Sequence, residues 1–240
     1  MVAHRGASAE APENTLAAFD LAAELGAGAV EFDVRITADD RAIVIHDASV
    51  DRTTEGTGLV REMTLAEIQR LHVRGSDERV PTLEEALALL SGRVGIDVEI
   101  KNIPGEPDFD PERERAVELV HEALGSVAFA GEVIVSSFNP MSLAASLRSR
   151  PDVATALLTN TDVEADATIA FAASQGHLWA LPFVGQVLSA PDRYADAAHD
   201  AGLGLGVWVT DDPQEARALF DAGVDAVATN DPRRIAAAGR

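Results

Sequence analysis

The sequence predicts an α/β fold, a (β/α)8 TIM barrel with a small insertion after the second strand. Two observations support this prediction. Short apolar runs, typical of buried parallel strands, alternate with helical patterns along the whole chain. The length of 240 residues is close to the roughly 250 residues of such barrels, so residues 1–240 are predicted to form a single barrel domain. A doubly wound sheet is the alternative, but no glycine-rich phosphate-binding motif follows the first strand.

Eight apolar runs are predicted to be the parallel strands of the barrel. They lie at residues 1–3, 29–34, 95–100, 133–137, 154–158, 178–181, 205–209 and 226–229. Seven helical patterns lie between them, at residues 15–25, 82–90, 112–124, 142–148, 163–174, 191–201 and 213–222. The second pattern has a clear start signal, because Pro81 precedes it and Thr82 and Glu85 match a Thr-x-x-Glu capping box.

A hairpin and a long polar segment interrupt this repeat. Residues 36–42 are too few for a helix and are predicted to be a turn, so that residues 44–46 pair antiparallel with residues 30–35. This pairing brings His46 close to Glu31 and Asp33. Residues 47–79 are polar and have little apolar periodicity, and we predict that they form an insertion above the mouth of the barrel, where long inserts usually carry function.

The composition excludes several classes of partner and cofactor. A net charge of −21 repels nucleic acid and anionic membranes, so a phosphate-bearing ligand requires a locally positive pocket or a bound cation. The absence of cysteine excludes disulfides, zinc–thiolate centres and thiol nucleophiles. No run approaches the roughly 20 apolar residues of a membrane-spanning helix, and no signal peptide is visible. We therefore expect a cytoplasmic protein without stable membrane insertion, whose oligomeric state stays open.

Acidic residues stand at inner positions of two neighbouring strands. Side chains two apart on a strand face the same way, so Glu31 and Asp33 form one inward pair, and Glu99 and Lys101 form another. Buried carboxylates are costly unless they bind a cation or take part in chemistry. Three carboxylates without cysteine favour a hard cation. We predict that Glu31, Asp33 and Glu99 bind one divalent cation, Mg²⁺ or Ca²⁺.

Basic and aromatic residues complete the predicted site at the carboxyl ends of the strands. Arg5 and Lys101 are expected to bind the non-bridging oxygens of a phosphate. His4 and His46 are suited to proton transfer near neutral pH, one to activate the nucleophile and the other to protonate the leaving alkoxide, in an order that stays open. Two aromatic side chains at the mouth are expected to bind the alcohol side of the substrate; they are Phe138 and Trp208.

Several motifs occur in order along the chain and indicate a family. They are His4-Arg5-Gly6, Pro12-Glu13-Asn14-Thr15, Glu31-x-Asp33, His46-Asp47, Arg52-Thr53-Thr54, Pro81-Thr82-Leu83-Glu84-Glu85, Glu99-x-Lys101, Ser136-Ser137-Phe138 and Trp208. With them the chain resembles the bacterial glycerophosphodiester phosphodiesterases. The resemblance implies a barrel enzyme that hydrolyses a small glycerophosphodiester to an alcohol and sn-glycerol 3-phosphate with a divalent cation. It implies metal ligation by the three carboxylates, acid–base chemistry by the two histidines, and phosphate contacts by Arg5 and Lys101.

Three other functions fit parts of the pattern. A phospholipase D-type enzyme acting on lysophospholipids would use the same residues, with attack by the substrate's own hydroxyl group. A metal-dependent aldolase also combines carboxylates with histidine and arginine, but it needs only one base. A non-catalytic phosphate-binding barrel would have no use for a pair of histidines.

Other polar residues are assigned structural roles. Residues 13–15 are expected to cap the first helix, Asp47 to shape a turn, and Arg52 to anchor the insertion. Asp97 is expected to join a structural network deeper in the barrel. Four histidines are predicted to lie on the surface; they are His72, His121, His177 and His199.

Overall fold

The computed structural model describes residues 1–238. Within that range nine strands form one sheet; they are β1 (Val2–His4), β2 (Ala29–Ile36), β3 (Ala42–Val44), β4 (Gly95–Ile100), β5 (Val133–Ser137), β6 (Ala154–Leu158), β7 (Trp179–Leu181), β8 (Gly204–Val207) and β9 (Ala226–Thr229). The α-helices of the same range are α1 (Leu16–Glu24), α2 (Leu65–Ile68), α3 (Leu83–Leu90), α4 (Arg115–Val127), α5 (Pro140–Ser149), α6 (Ala165–Gln175), α7 (Val184–Val187), α8 (Pro191–Asp200), α9 (Pro213–Asp221) and α10 (Pro232–Ala238).

Eight parallel strands close into a barrel. β1 pairs with β2 on one side and with β9 on the other, and the order β1-β9-β8-β7-β6-β5-β4-β2 completes the ring. β3 extends the sheet by pairing antiparallel with β2, with Val44 opposite Val34. Helices connect the successive parallel strands, which is the arrangement of a TIM barrel. The predicted fold class is confirmed.

The elements differ from the prediction in the hairpin and in three helices. The strand predicted at residues 44–46 is wrong, because β3 begins and ends two residues earlier. The chain leaves β2 after the Ile45 amide donates to the Asp33 carbonyl at 3.0 Å, so His46 is a loop residue. The helices α2, α7 and α10 are missing from the prediction. Since α2 and α7 are four residues long, a helical period is not visible in their sequences.

The apolar core lies between the barrel and its helices in two parts. One part packs α1, α3 and α4 against β2 and β4 and includes the fully buried Phe19, Phe32 and Leu87. The other packs α6, α8 and α9 against β6 to β9 and includes Leu205 and Leu219. These helices hold the strands whose ends carry the site. Among residues 1–238, no helix combines the length and the apolar character needed to cross a bilayer.

The segment between β3 and α3 packs around a small core of its own. α2 within it begins with a capping box in which Thr64 and Glu67 bond each other's backbone amides. Each buried aliphatic side chain stabilises the fold by roughly 1.5–3 kcal/mol, so this polar segment is held firmly against β3. The buried apolar side chains of this core are Ile43, Ile45, Val50, Val60, Ile68 and Val80.

Two of the four histidines predicted on the surface are buried, so that prediction is wrong for them. The ring nitrogens of His121 each lie 3.0 Å from a serine hydroxyl of α5. His177 Nδ1 lies 2.9 Å from Thr155 Oγ1. Hydroxyl partners of this kind allow a neutral imidazole to be buried, and the sequence does not reveal them. His199 is exposed, as predicted, and His72 is half-buried.

Candidate active site

Three carboxylates lie together near the carboxyl end of the barrel, and we call them the acidic triad. The sheet register places Asp33 of β2 opposite Glu99 of β4, and Glu31 of β2 opposite His4 of β1. Oxygens of Glu31, Asp33 and Glu99 lie within 4.8 Å of one another, and all three residues are buried. The structure therefore brings together the residues that the sequence predicts to bind a cation.

The pKa values within the acidic triad are strongly shifted. Burial, together with the neighbouring carboxylates, raises the pKa of Glu31 well above its usual range. Burial raises the pKa of Glu99 to about 7, against the opposing effect of Lys101. Burial would also raise the pKa of Asp33, but Lys101 and Arg5 hold it below its ordinary value. The two cationic side chains thus supply too little positive charge for three ionised carboxylates.

The chemistry of the triad fits a hard divalent cation. Its donors are carboxylate oxygens, which both Mg²⁺ and Ca²⁺ prefer. Glu31 Oε1 is buried and has no hydrogen-bond partner, so this oxygen is available to a cation. A divalent charge would also offset the burial cost and the repulsion that raise the pKa of Glu31 and of Glu99. The residues present therefore suit a single Mg²⁺ or Ca²⁺.

A turn with left-handed backbone conformation follows β1 and faces the triad. Arg5 has φ +57° and Gly6 has φ +81°. A Cβ atom on Gly6 would lie 2.7 Å from the Ala18 backbone carbon, so the turn requires glycine there. The turn directs the Arg5 N–H to Glu31 Oε2 at 2.9 Å. A non-glycine residue in this conformation carries strain, which is characteristic of functional sites where the surroundings enforce it.

The two predicted phosphate-binding side chains contact the triad directly. Arg5 Nε lies 3.1 Å from Asp33 Oδ2. Lys101 Nζ lies 3.0 Å from Asp33 Oδ1 and 2.5 Å from Glu99 Oε1. Burial lowers the pKa of both basic groups, but attraction to the carboxylates is stronger and leaves it raised. Both side chains therefore stay cationic beside the triad.

His4 is held by a hydrogen-bonded chain from the far end of the sequence. Its Nδ1 lies 2.8 Å from Asn230 Oδ1, and Asn230 Nδ2 in turn donates to Asp211 Oδ2 at 2.9 Å. An amide oxygen can only accept, so Nδ1 carries the proton and Nε2 is left to face the cavity, 3.9 Å from Glu31 Oε2. Burial and the nearby Arg5 lower the pKa of His4.

His46 is held by a carboxylate and by its own backbone. Its Nδ1 lies 2.6 Å from Asp47 Oδ1, which leaves Nε2 for the cavity. Asp47, predicted to shape a turn, therefore has a direct contact with the predicted catalytic side chain. The buried Arg35 donates to the His46 carbonyl at 2.6 Å and pairs with Asp108 at 2.6 Å. Burial lowers the pKa of His46, so it is a neutral imidazole near pH 7.

All predicted site residues except Asp33 line one cavity of about 330 Å³. Asp33 is fully buried and contacts Arg5 and Lys101, which do line the cavity. Phe138 and Trp208 form part of its wall, with their rings edge to face at 5.3 Å, and Phe183 supports Trp208 at 5.6 Å. Apolar side chains such as Leu181 continue this wall. Asp97 lies in the same cavity two residues before Glu99, and burial raises its pKa to about 7. The cavity thus has a charged side at Glu31 and Glu99 and an apolar side, where the Phe138 ring lies 5.7 Å from Lys101 Nζ.

Sequence reasoning misses several residues that support the site. Of residues 13–15, only Thr15 caps α1. Asn14 donates to Asp33 Oδ2 at 2.7 Å, and Glu13 pairs with Arg5 at 3.0 Å. Asn14 has φ +57°, a left-handed conformation that asparagine tolerates. The asparagine is therefore the signal in the sequence that could have indicated a turn here. No local signal links His4 with Asn230, because 226 residues separate them.

Known proteins resemble this chain over its full length. It is 33% identical over 242 residues to a glycerophosphodiester phosphodiesterase of Caldanaerobacter subterraneus, covering 98% of this chain and 95% of the relative. It is 30% identical over 246 residues to a glycerophosphodiester phosphodiesterase of Bacillus subtilis, covering 96% and 83%. A solved Oleispira antarctica phosphodiesterase, in complex with the product sn-glycerol-3-phosphate, has a TM-score of 0.86 at 27% identity, covering 99% and 95%. The Agrobacterium tumefaciens glycerophosphodiester phosphodiesterase has a TM-score of 0.79 at 30% identity, covering 98% of each chain.

The barrel, its cavity and these likenesses define an enzyme of the phosphoric diester hydrolase class. The model of the glycerophosphoryl diester phosphodiesterase family matches residues 4–234. The chain belongs to this family, and the family predicted from the motifs is confirmed.

Proposed function

We propose that the enzyme hydrolyses glycerophosphodiesters to an alcohol and sn-glycerol 3-phosphate, with one divalent cation and a pair of histidines. The observation that carries this proposal is one cavity lined by two imidazoles, by Glu31 and Glu99 of the acidic triad, and by the cationic Arg5 and Lys101. The solved relative that holds sn-glycerol-3-phosphate supports the same product.

Glu31, Asp33 and Glu99 would hold the cation, Mg²⁺ or Ca²⁺. When bound, the cation supplies charge neutralisation at a phosphate oxygen and makes phosphorus more electrophilic. Arg5 and Lys101 bind the remaining non-bridging oxygens as fixed cations in a buried site, where electrostatic stabilisation of a developing charge is strong. Their contacts with the triad keep both groups in place before the substrate arrives.

His4 and His46 share the two proton transfers of the hydrolysis. One takes a proton from the attacking water, and the other gives a proton to the leaving alkoxide. Each ring has its Nδ1 bound to an acceptor, so each offers Nε2 to the cavity. Their lowered pKa leaves both imidazoles neutral near pH 7, so the histidine that acts as acid must first bind a proton from solvent at Nε2, which it then gives to the leaving alkoxide.

The apolar wall favours one alternative substrate. Phe138, Leu181 and Trp208 would also suit an alkyl chain, which favours a lysophospholipase D-type phosphodiesterase acting on lysophospholipids. Such an enzyme would form a cyclic phosphate by attack of the substrate's own hydroxyl group. Detection of the product by ³¹P NMR separates this reaction from hydrolysis by water.

The test is release of glycerol 3-phosphate from glycerophosphocholine. The wild type and the surface control Asp152→Asn are assayed with EDTA, and again after Mg²⁺ or Ca²⁺ is restored. We expect no release with EDTA and full release with one of the two cations. Release that EDTA does not affect would contradict the metal requirement, and turnover of lysophosphatidylcholine alone would favour the alternative.

A further inference from the structure

Arg52 bridges two carboxylates beside the active site. Its Nη1 and Nη2 donate to Glu13 Oε2 and Oε1 at 2.8 and 2.7 Å. Its Nε and Nη2 donate to Asp47 Oδ2 and Oδ1 at 2.6 and 3.1 Å. Both carboxylates are therefore held in the two-pronged geometry that a planar guanidinium provides and an ammonium group does not.

Each of these carboxylates holds a side chain of the reaction. Glu13 accepts a hydrogen bond from Arg5 Nη1 at 3.0 Å. Asp47 Oδ1 accepts a hydrogen bond from His46 Nδ1 at 2.6 Å. A continuous chain of charged contacts thus runs from Arg5 through Glu13, Arg52 and Asp47 to His46.

The turn that carries Arg52 is itself fixed. Val50 and Thr54 are fully buried on either side of it, and Thr54 Oγ1 donates to the Val50 carbonyl at 2.8 Å. Arg74 donates to the Asp51 carbonyl at 2.8 Å and anchors the same turn without touching either carboxylate. Arg52 is half-exposed, so its ion pairs add little to global stability. Geometry, rather than folding free energy, is what this arrangement supplies.

We propose that Arg52 is a positioning residue that ties phosphate binding by Arg5 to proton transfer by His46. This inference rests on the proposed function of those two side chains. Without the guanidinium, Glu13 and Asp47 would repel each other and swing into solvent. Arg5 would then lose one of its two carboxylate partners and keep only Asp33, and His46 would lose the acceptor that fixes its Nε2 toward the cavity.

The kinetic test compares Glu13→Ala, Asp47→Ala and Arg52→Gln in the glycerophosphocholine assay. Glu13→Ala should mainly raise KM, and Asp47→Ala should mainly lower kcat. Arg52→Gln should do both, each by roughly tenfold or more, as is usual when supporting hydrogen bonds are lost. Arg74→Gln is the matched control, since it loosens the same turn, and its kinetic constants should stay within about twofold of the wild type.

A double-mutant cycle tests whether Arg52 couples the Glu13–Arg5 contact to the Asp47–His46 contact. The combined Glu13→Ala and Asp47→Ala variant should lose less activity than the product of the two single losses. In the Arg52→Gln background both single changes should add little. Losses that multiply independently, or an Arg52→Gln enzyme with wild-type constants, would overturn the proposal.

Two readouts without turnover separate this inference from the proposed function. ¹⁵N NMR of labelled histidine should show His46 protonated at Nδ1 in the wild type and a tautomer mixture in Arg52→Gln, as in Asp47→Ala. Calorimetry should show weaker binding of sn-glycerol 3-phosphate to Arg52→Gln and to Glu13→Ala. If the wild type has no phosphodiesterase activity but both the tautomer change and the weaker binding occur, the proposed function is wrong and the positioning role of Arg52 is supported. If neither change occurs, the positioning role of Arg52 is wrong.

Discussion

The two halves of the barrel have the same arrangement of strands but differ in the side chains that line the cavity. Around β1, β2 and β4 the cavity is lined by His4, Glu31, Glu99 and other charged side chains. Around β6 to β9 it is lined by Leu181, Gly206 and other small or apolar residues. The parallel barrel therefore offers equivalent inner positions on every strand, and the residue types decide which half is charged and which half is apolar.

The apolar half is filled by pairing large side chains with glycines. A Cβ atom on Gly204 would lie 2.7 Å from Trp179 Cε3, and one on Gly206 would lie 2.5 Å from Leu181 Cδ2. The polar half instead presents charged side chains such as Glu31 and Glu99 to the same cavity. Substitutions of the charged side chains should therefore affect activity, and substitutions of these glycines should affect stability.

The largest effect is expected from Glu99→Gln in the polar half. Loss of a carboxylate ligand removes metal-dependent charge stabilisation worth several kcal/mol, so kcat/KM should fall by about 1,000-fold or more. The fold should stay intact, as checked by circular dichroism, because the amide is nearly isosteric. Full activity in this variant would contradict the assignment of Glu99 as a metal ligand.

The same variant should change how stability depends on pH. The pKa of Glu99 is raised from 4.5 to about 7 in the folded metal-free protein, so between these values the folded state binds more protons than the unfolded state. Ionisation of Glu99 then costs stability as pH rises. The unfolding free energy of Glu99→Gln minus that of the wild type should increase between pH 4.5 and 7, by up to roughly 3 kcal/mol.

Urea denaturation with EDTA at several pH values measures this difference. Addition of Mg²⁺ or Ca²⁺ should reduce it, because the cation stabilises the ionised carboxylates of the wild type. A difference that stays constant across pH would show that Glu99 titrates normally.

In the apolar half, Gly206→Ala should destabilise the protein. The new methyl group would overlap Leu181, which must move, and overpacking of this kind costs about 1–3 kcal/mol. Gly125→Ala in α4 is the matched control, since nothing lies within 4 Å of its Cβ position, and it should stabilise by about 0.5–1 kcal/mol. Equal denaturation midpoints for the two variants would contradict the packing argument.

A smaller effect is expected from a change to the residue that supports His4. Asn230→Ala removes the acceptor of the His4 Nδ1 proton, so the ring can rotate and kcat should fall roughly tenfold. Asn160→Ala is a control, because Asn160 lines the same cavity and the structure shows no side-chain hydrogen bond from it to either histidine. Steady-state kinetics of both variants provide the comparison. Wild-type kcat in Asn230→Ala would mean that packing alone orients His4.

The sequence by itself determined the fold class and the members of the acidic triad. Eight apolar runs separated by helical patterns leave few ways to bury strands on both faces, and the two-residue period of a strand put Glu31 and Asp33 on one side. The motif from His4 to Gly6 was also visible in the sequence, although the close approach to Ala18 that requires glycine there was not. These features depend on neighbours in the chain.

The supporting contacts were decided only by the tertiary structure. Asn230 reaches His4 because β9 closes the ring against β1. Arg52 lies between Glu13 and Asp47 because the insertion has its own core and packs against β3. The burial that raises the pKa of Glu99 likewise depends on the complete barrel. Residues distant in sequence produce these effects, so no local pattern encodes them.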